Sequence, residues 1–152
     1  MGSVRRRAAL ESGERLPTWE AMARYETVDE PAIAELVEKF YAKARRDPEI
    51  GPIFENGVHD WPAHLATLNQ FWSSVMLTSG RYKGNPMAAH MKHPIRPEFF
   101  ERWLALWGET ADEVFAPEAA SRFRMKAERI AESLKLGLFY RPDGLRVVAG
   151  RG

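Results

Sequence analysis

From Trp61 through Gly80, the segment WPAHLATLNQFWSSVMLTSG holds no Asp, Glu, Lys or Arg, in a chain where those four types make up 28% of residues. A helix with one solvated face carries charge on that face, so this stretch is expected to be helical and buried on more than one side. A transmembrane span is the obvious rival. His64, Thr67, Asn69, Gln70, Ser73 and Ser74 make the segment too polar for hydrocarbon. Asp60 is placed to cap a helix and Pro62 lies in its first turn, which predicts a helix over about 60–79. His64, Leu68, Phe71, Trp72 and Val75 recur at spacings of three and four. They form one apolar wall carrying one imidazole.

The rest of the chain reads as further helices around this one. In Asp29-Glu30-Pro31 the acid caps and the proline pre-sets a helical dihedral, while Ile33, Leu36, Val37, Phe40, Tyr41 and Ala44 recur at helical period. A helix over about 29–46 follows, ended by Asp47-Pro48. GPIFENGVHDW reads as a loop carrying Phe54. Asn85-Pro86 opens a short helix that Pro94 stops, leaving room for about two turns around His90. Arg96-Pro97-Glu98 begins a longer one with the apolar set Phe99, Phe100, Trp103, Leu104, Leu106, Trp107, Val114 and Phe115. Pro117 starts a last helix to about Leu138. No segment alternates with period two, so the class is all-α.

Length allows one domain. A chain of 152 residues buries roughly two-thirds of its unfolded surface, and 45% hydrophobic content supplies the core. The folded unit is expected over 25–139, preceded by an Arg-rich mobile extension, 1–24, with a single helical turn near Thr18, and followed by a mobile tail, 140–152. The formal net charge is +1 with signs interspersed, which gives no electrostatic reason to expect nucleic acid or a membrane surface as partner. MGSVRRRAAL offers only Ala8, Ala9 and Leu10 before Glu11, too short for a signal peptide's apolar region, and Arg6 stands where myristoylation needs Ser or Thr. A cytoplasmic setting is the expectation.

Three polar side chains on three different helices stand out: Tyr41, His64 and His90. Taken singly, each has a bland explanation. A lone histidine on a partly apolar helix is more often a satisfied core or surface residue, and a lone tyrosine or tryptophan is more often core. As a set they suit a flat apolar slot, with one imidazole ligating a metal and a second polar cluster beyond it. Tyr41 and Trp103 are donors whose buried polar atoms need an acceptor, which a small polar ligand in the slot provides. His93 pairs with His90 at His-x-x-His spacing, but it precedes Pro94 and is pushed toward extended backbone, so it fits a cofactor edge better than a metal. The chain has no cysteine, which excludes thiolate ligation, disulfides and covalent haem attachment through Cys-x-x-Cys-His.

The runs FYAKARRDPEIGPIFEN, HLATLNQFW and RYKGNPMAAHMKHPIRPEFFERWLALW resemble those of the bacterial group III truncated haemoglobins, and the likeness spans about residues 25–138. The resemblance implies a shortened globin fold, two helices over two around haem b. It implies His90 as the proximal iron ligand, His64 as the distal histidine, and Tyr41 and Trp103 as distal hydrogen-bond donors. Leu68 would lie over the iron and Phe54 would wedge the haem, with Phe71, Met87, His93, Ile95 and Phe100 as further cofactor contacts. Oxygen or another diatomic molecule would be the ligand, with a reductase of unknown identity as partner. A polar distal side suits redox chemistry on the ligand, such as nitric oxide oxidation or peroxide detoxification. Three other readings stay open: a haem-based sensor, a haem-free helical interaction module, and a non-haem metal protein using His90 and His93. The last lacks carboxylates at the helical spacing that bundle metal sites use.

Overall fold

In a computed structural model of the chain, the residues described here are 24–90, 93 and 95–139. The expected extension before Arg24, with its turn near Thr18, and the expected tail after Phe139 lie outside them. Among these residues six helices run in order: α1 Glu30–Ala44, α2 Gly51–Gly57, α3 Trp61–Leu77, α4 Pro86–His90, α5 Pro97–Val114 and α6 Pro117–Phe139. Every one has a proline in its first two positions, where the ring's fixed φ favours the helix and no needed N–H is lost. Asp29 and Asp60 cap α1 and α3, accepting from Ala32 N at 3.0 Å and Ala63 N at 3.1 Å. Asn85 does the same for Ala88 N at 3.1 Å. The fold is all-α, and the described residues contain one isolated bridge, Tyr25 with Phe115, which pins the start of the fold to the α5–α6 corner.

Two helix pairs build the body. α1 packs on α3, α5 packs on α6, and α1 lies against α5 to join the pairs, while α4 rests on α6. The core where they meet is aromatic. Trp107 stacks on Trp72 at 4.4 Å and 20° and on Trp103 at 5.9 Å and 11°, with Phe40 edge-on to Trp107 at 5.0 Å. Trp107 is 1% exposed, and truncating such a ring costs roughly 3–5 kcal/mol.

One expectation needs correction. The segment GPIFENGVHDW is not a plain loop, because Gly51–Gly57 is a helix. Asp47 organises its approach, accepting from Glu49 N at 2.9 Å and Ile50 N at 3.0 Å. Gly51 passes so close to Arg45 O that a Cβ there would sit 2.7 Å away. The uncharged helix α3 has two covered sides and one open one: Trp72 and Ser73 are fully buried, while Pro62, Ala63, Ala66, Thr67 and Gln70 are exposed. One side of α3 packs on the core and another forms a cavity wall; the third faces solvent with small and amide side chains in place of charges. No helix of the described residues is long and apolar enough to cross a membrane.

Candidate functional site

A cavity of about 300 Å³, mostly apolar, lies between the helix pairs. That volume is at the lower end of the range for cofactor and ligand sites. Its walls include Tyr41 from α1, Phe54 from α2, His64, Leu68 and Phe71 from α3, and His90 from α4. His93 and Ile95 come from the connection after α4, and Phe100 and Trp103 from α5. Residues spread over more than sixty positions of sequence thus meet at one space.

His90 ends a helix too short to bury it, and its Nδ1 is 2.7 Å from the carbonyl oxygen of Pro86, one turn earlier. Donation to that carbonyl fixes the tautomer, so Nε2 keeps its lone pair for a metal. His64 is a different case. Its Nε2 is buried without a hydrogen-bond partner among the described residues, and burial holds its pKa below the ordinary imidazole value. At neutral pH it is therefore uncharged. An aromatic box surrounds it: Tyr41 edge-on at 5.4 Å and Trp61 edge-on at 5.4 Å, with Phe54 5.3 Å from Tyr41.

Tyr41 is 7% exposed, and burial pushes its phenol well above the usual tyrosine range. It stays protonated and can donate. Among the described residues its hydroxyl forms no hydrogen bond, although Tyr25 OH donates to Glu35 at 2.8 Å. Trp103 reaches the cavity from the outer end of the tryptophan stack. These features fit a flat metal-centred cofactor: a pre-set imidazole, apolar walls, and two polar side chains in the wall, Tyr41 and His64, the latter with a buried Nε2 that has no partner among the described residues.

Met87 departs from the expectation. It is absent from the cavity wall and packs instead at the α4–α6 junction, beside Phe100, Ala131 and Leu134 and close to Gly137. His93 lies at the rim, its ring against Gly57, where a Cβ would come within 2.6 Å of Cε1. Beside it a recess lined by His59 and Asp60 shares Gly57, Val58, His64, Ala89 and His93 with the cavity. No group of three or more His, Cys, Asp or Glu able to hold a metal forms among the described residues.

Sequence reading missed several wall residues, among them Ile50, Ile53, Tyr82, Phe99, Ile130 and Leu134. Ile50, Ile53, Phe54 and Gly57 recur at helical spacing, a signal that was present but outweighed by the turn residues around it. Tyr82 carries no such signal. It reaches the wall because its backbone N bonds Ser74 Oγ at 2.9 Å and its ring meets Phe71 at 5.1 Å.

Comparison with known proteins bears on this site directly. The chain is 36% identical over 121 residues to the group 3 truncated hemoglobin ctb of Campylobacter jejuni, a span covering 76% of this chain and 95% of that one. The crystal structure of group III truncated hemoglobin from Campylobacter jejuni superposes with a TM-score of 0.72 at 36% identity, again over 76% of this chain and 95% of the other. No protein-family model matches.

Proposed function

The chain belongs to the group 3 truncated haemoglobins, and from that membership together with the cavity we propose that it holds haem b through His90 and binds oxygen or another diatomic ligand. The observation that carries this reading is the 2.7 Å contact of His90 Nδ1 with Pro86 O, which turns Nε2 into a ready ligand at the wall of an apolar cavity. Haem supplies a ferrous iron with an open position for the ligand.

The chain's own residues do the rest. Leu68, Phe71, Ile95 and Phe100 give the cofactor apolar contact and exclude water, while Phe54 and His93 bound its edges. Tyr41, kept protonated by burial, and Trp103 would be the donors to a bound ligand with anionic character, each such bond worth about 1.5–3 kcal/mol. Two such bonds slow release by roughly a hundredfold or more. Slow release is poor for oxygen delivery and suits redox use of the ligand: oxidation of nitric oxide or reduction of a peroxide, with a separate reductase restoring the ferrous state. A cytoplasmic setting accords with that need for reducing power.

Purified protein titrated with haemin tests the reading. A Soret band saturating at one haem per chain, with a five-coordinate ferrous spectrum, is the expected result, and a protein that takes up no haem overturns it. Stopped-flow oxygen release then separates transport from redox use of bound oxygen, since fast release removes the basis for the latter.

A further inference from the structure

Trp61 is not part of the cavity wall, yet it touches three residues that are. Its ring lies 5.4 Å from His64, 5.8 Å from Tyr41 and 6.3 Å from Phe54. The guanidinium of Arg45 sits 4.2 Å over the indole, and Arg45 Nε is 3.4 Å from Glu55 Oε2. Arg45 is the residue that caps the end of α1, Glu55 is on α2, and Trp61 is the first residue of α3. Three elements that meet at the His64 side of the cavity are thus tied together by one stacked cation and one ion pair. His64 itself belongs both to the cavity wall and to the recess lined by His59 and Asp60. His64 is one of five residues common to the two spaces, with Gly57, Val58, Ala89 and His93, and it is the one against which Trp61 stands, edge-on at 90°.

We propose that Trp61, clamped by Arg45 and Glu55, is the post against which His64 closes the cavity, so that a surface ion pair governs ligand access. The inference rests on the haem reading above and names a control on that same site. For His64 to move out of line, Trp61 must yield. Trp61 yields more readily when Arg45 is released from Glu55. Both partners of the pair are substantially exposed, at 42% and 54%, so salt reaches and weakens it. The consequence is specific, because carbon monoxide is neutral and its diffusion has no reason to depend on ionic strength. Salt dependence of its association that disappears when Glu55 loses its charge therefore reports this pair and not the other exposed ion pairs.

Flash photolysis of the haem-loaded, carbon monoxide-bound protein tests this. Between roughly 10 mM and 1 M salt, where screening shortens from about 30 to about 3 Å, wild-type association should rise by roughly two- to fivefold, the ratio an exposed pair supports. Glu55→Gln should be fast at all salt concentrations and insensitive to them. Trp61→Ala should behave likewise, and Trp61→Phe should restore part of the slow, salt-sensitive behaviour. A second readout does not need the cofactor: the Trp61 indole N–H resonance, assigned by its loss in Trp61→Phe, should shift with salt in the wild type and not in Glu55→Gln. A salt-independent association rate in the wild type, or one unchanged by Glu55→Gln, overturns the gate. Failure to take up haem overturns the haem reading instead, and a salt-insensitive indole signal then overturns the clamp on its own.

Discussion

Asp47 is the residue whose replacement tests the architecture of the site most sharply. It stands between α1 and α2, its side chain 3% exposed, and it accepts three hydrogen bonds: from Glu49 N at 2.9 Å, Ile50 N at 3.0 Å and Arg102 Nε of α5 at 2.7 Å. Through it, the helix that carries Phe54 is held to the helix that carries Trp103. Asp47→Asn keeps the shape and removes the charge. Each backbone bond then loses its charge assistance, about 1 kcal/mol apiece. The pair with the half-exposed Arg102 contributes about 1 kcal/mol more. A loss of about 3 kcal/mol results, which at a urea m-value of ~2 kcal/mol/M moves the unfolding midpoint down by about 1.5 M. Far-UV circular dichroism at matched cofactor occupancy measures it. The pH dependence is a stricter test. Burial alone would raise the Asp47 carboxyl, but the bonds from Ile50 N, Arg102 and Glu49 N outweigh it and hold the native pKa below the usual carboxylate value. A group whose pKa is lowered on folding stabilises the fold above its unfolded pKa, about 3.9, and loses that contribution as pH falls through the native value. The gap between wild type and Asp47→Asn should therefore be constant from pH 7 to about 5 and close below about 4. Equal midpoints at pH 7, or a gap that persists undiminished in acid, would refute the reasoning.

Three further outcomes follow from the site. His90→Ala removes the sole proposed protein bond to iron, so haem retention and thermal stability should fall together, because haem binds the folded chain only; a normal five-coordinate ferrous spectrum in this variant, with its loss in His93→Ala, would reassign the ligand. Tyr41→Phe and Trp103→Phe should each speed oxygen release roughly tenfold, and less than additively in combination since both donors share one acceptor. Stopped-flow ligand replacement reads this, and unchanged rates in both would remove the proposed distal bonds. Gly57→Ala puts a Cβ 2.6 Å from the His93 ring and displaces it. Its fold should survive with helicity unchanged while haem transfers faster to an apoglobin acceptor; an unaltered transfer rate would show that His93 does not bound the cofactor.

Much of the fold is written locally. Prolines at the helix starts, the capping carboxylates Asp29 and Asp60, and apolar residues at helical spacing each act within a few positions, so five of the six helices could be read to within a few residues at either end. The candidates Tyr41, His64, His90 and Trp103 could be picked out only as a set and through the family resemblance, since each residue type alone is commonplace in a core, and all four line the one cavity. What the chain alone did not determine is where faces meet. The approach to α2 is held by Asp47, which reaches both the amides of Glu49 and Ile50 and Arg102, fifty-five positions away. Met87 has an apolar side chain like its neighbours, yet contact with α6 turns it from the cavity. Trp61 reads only as the start of a helix, and its place between Arg45 and His64 arises from the junction of α1, α2 and α3. Local signals are set by short-range sterics and hydrogen bonding and survive in the linear text. Enclosure depends on which distant surfaces pack together, and that is decided only by the folded whole.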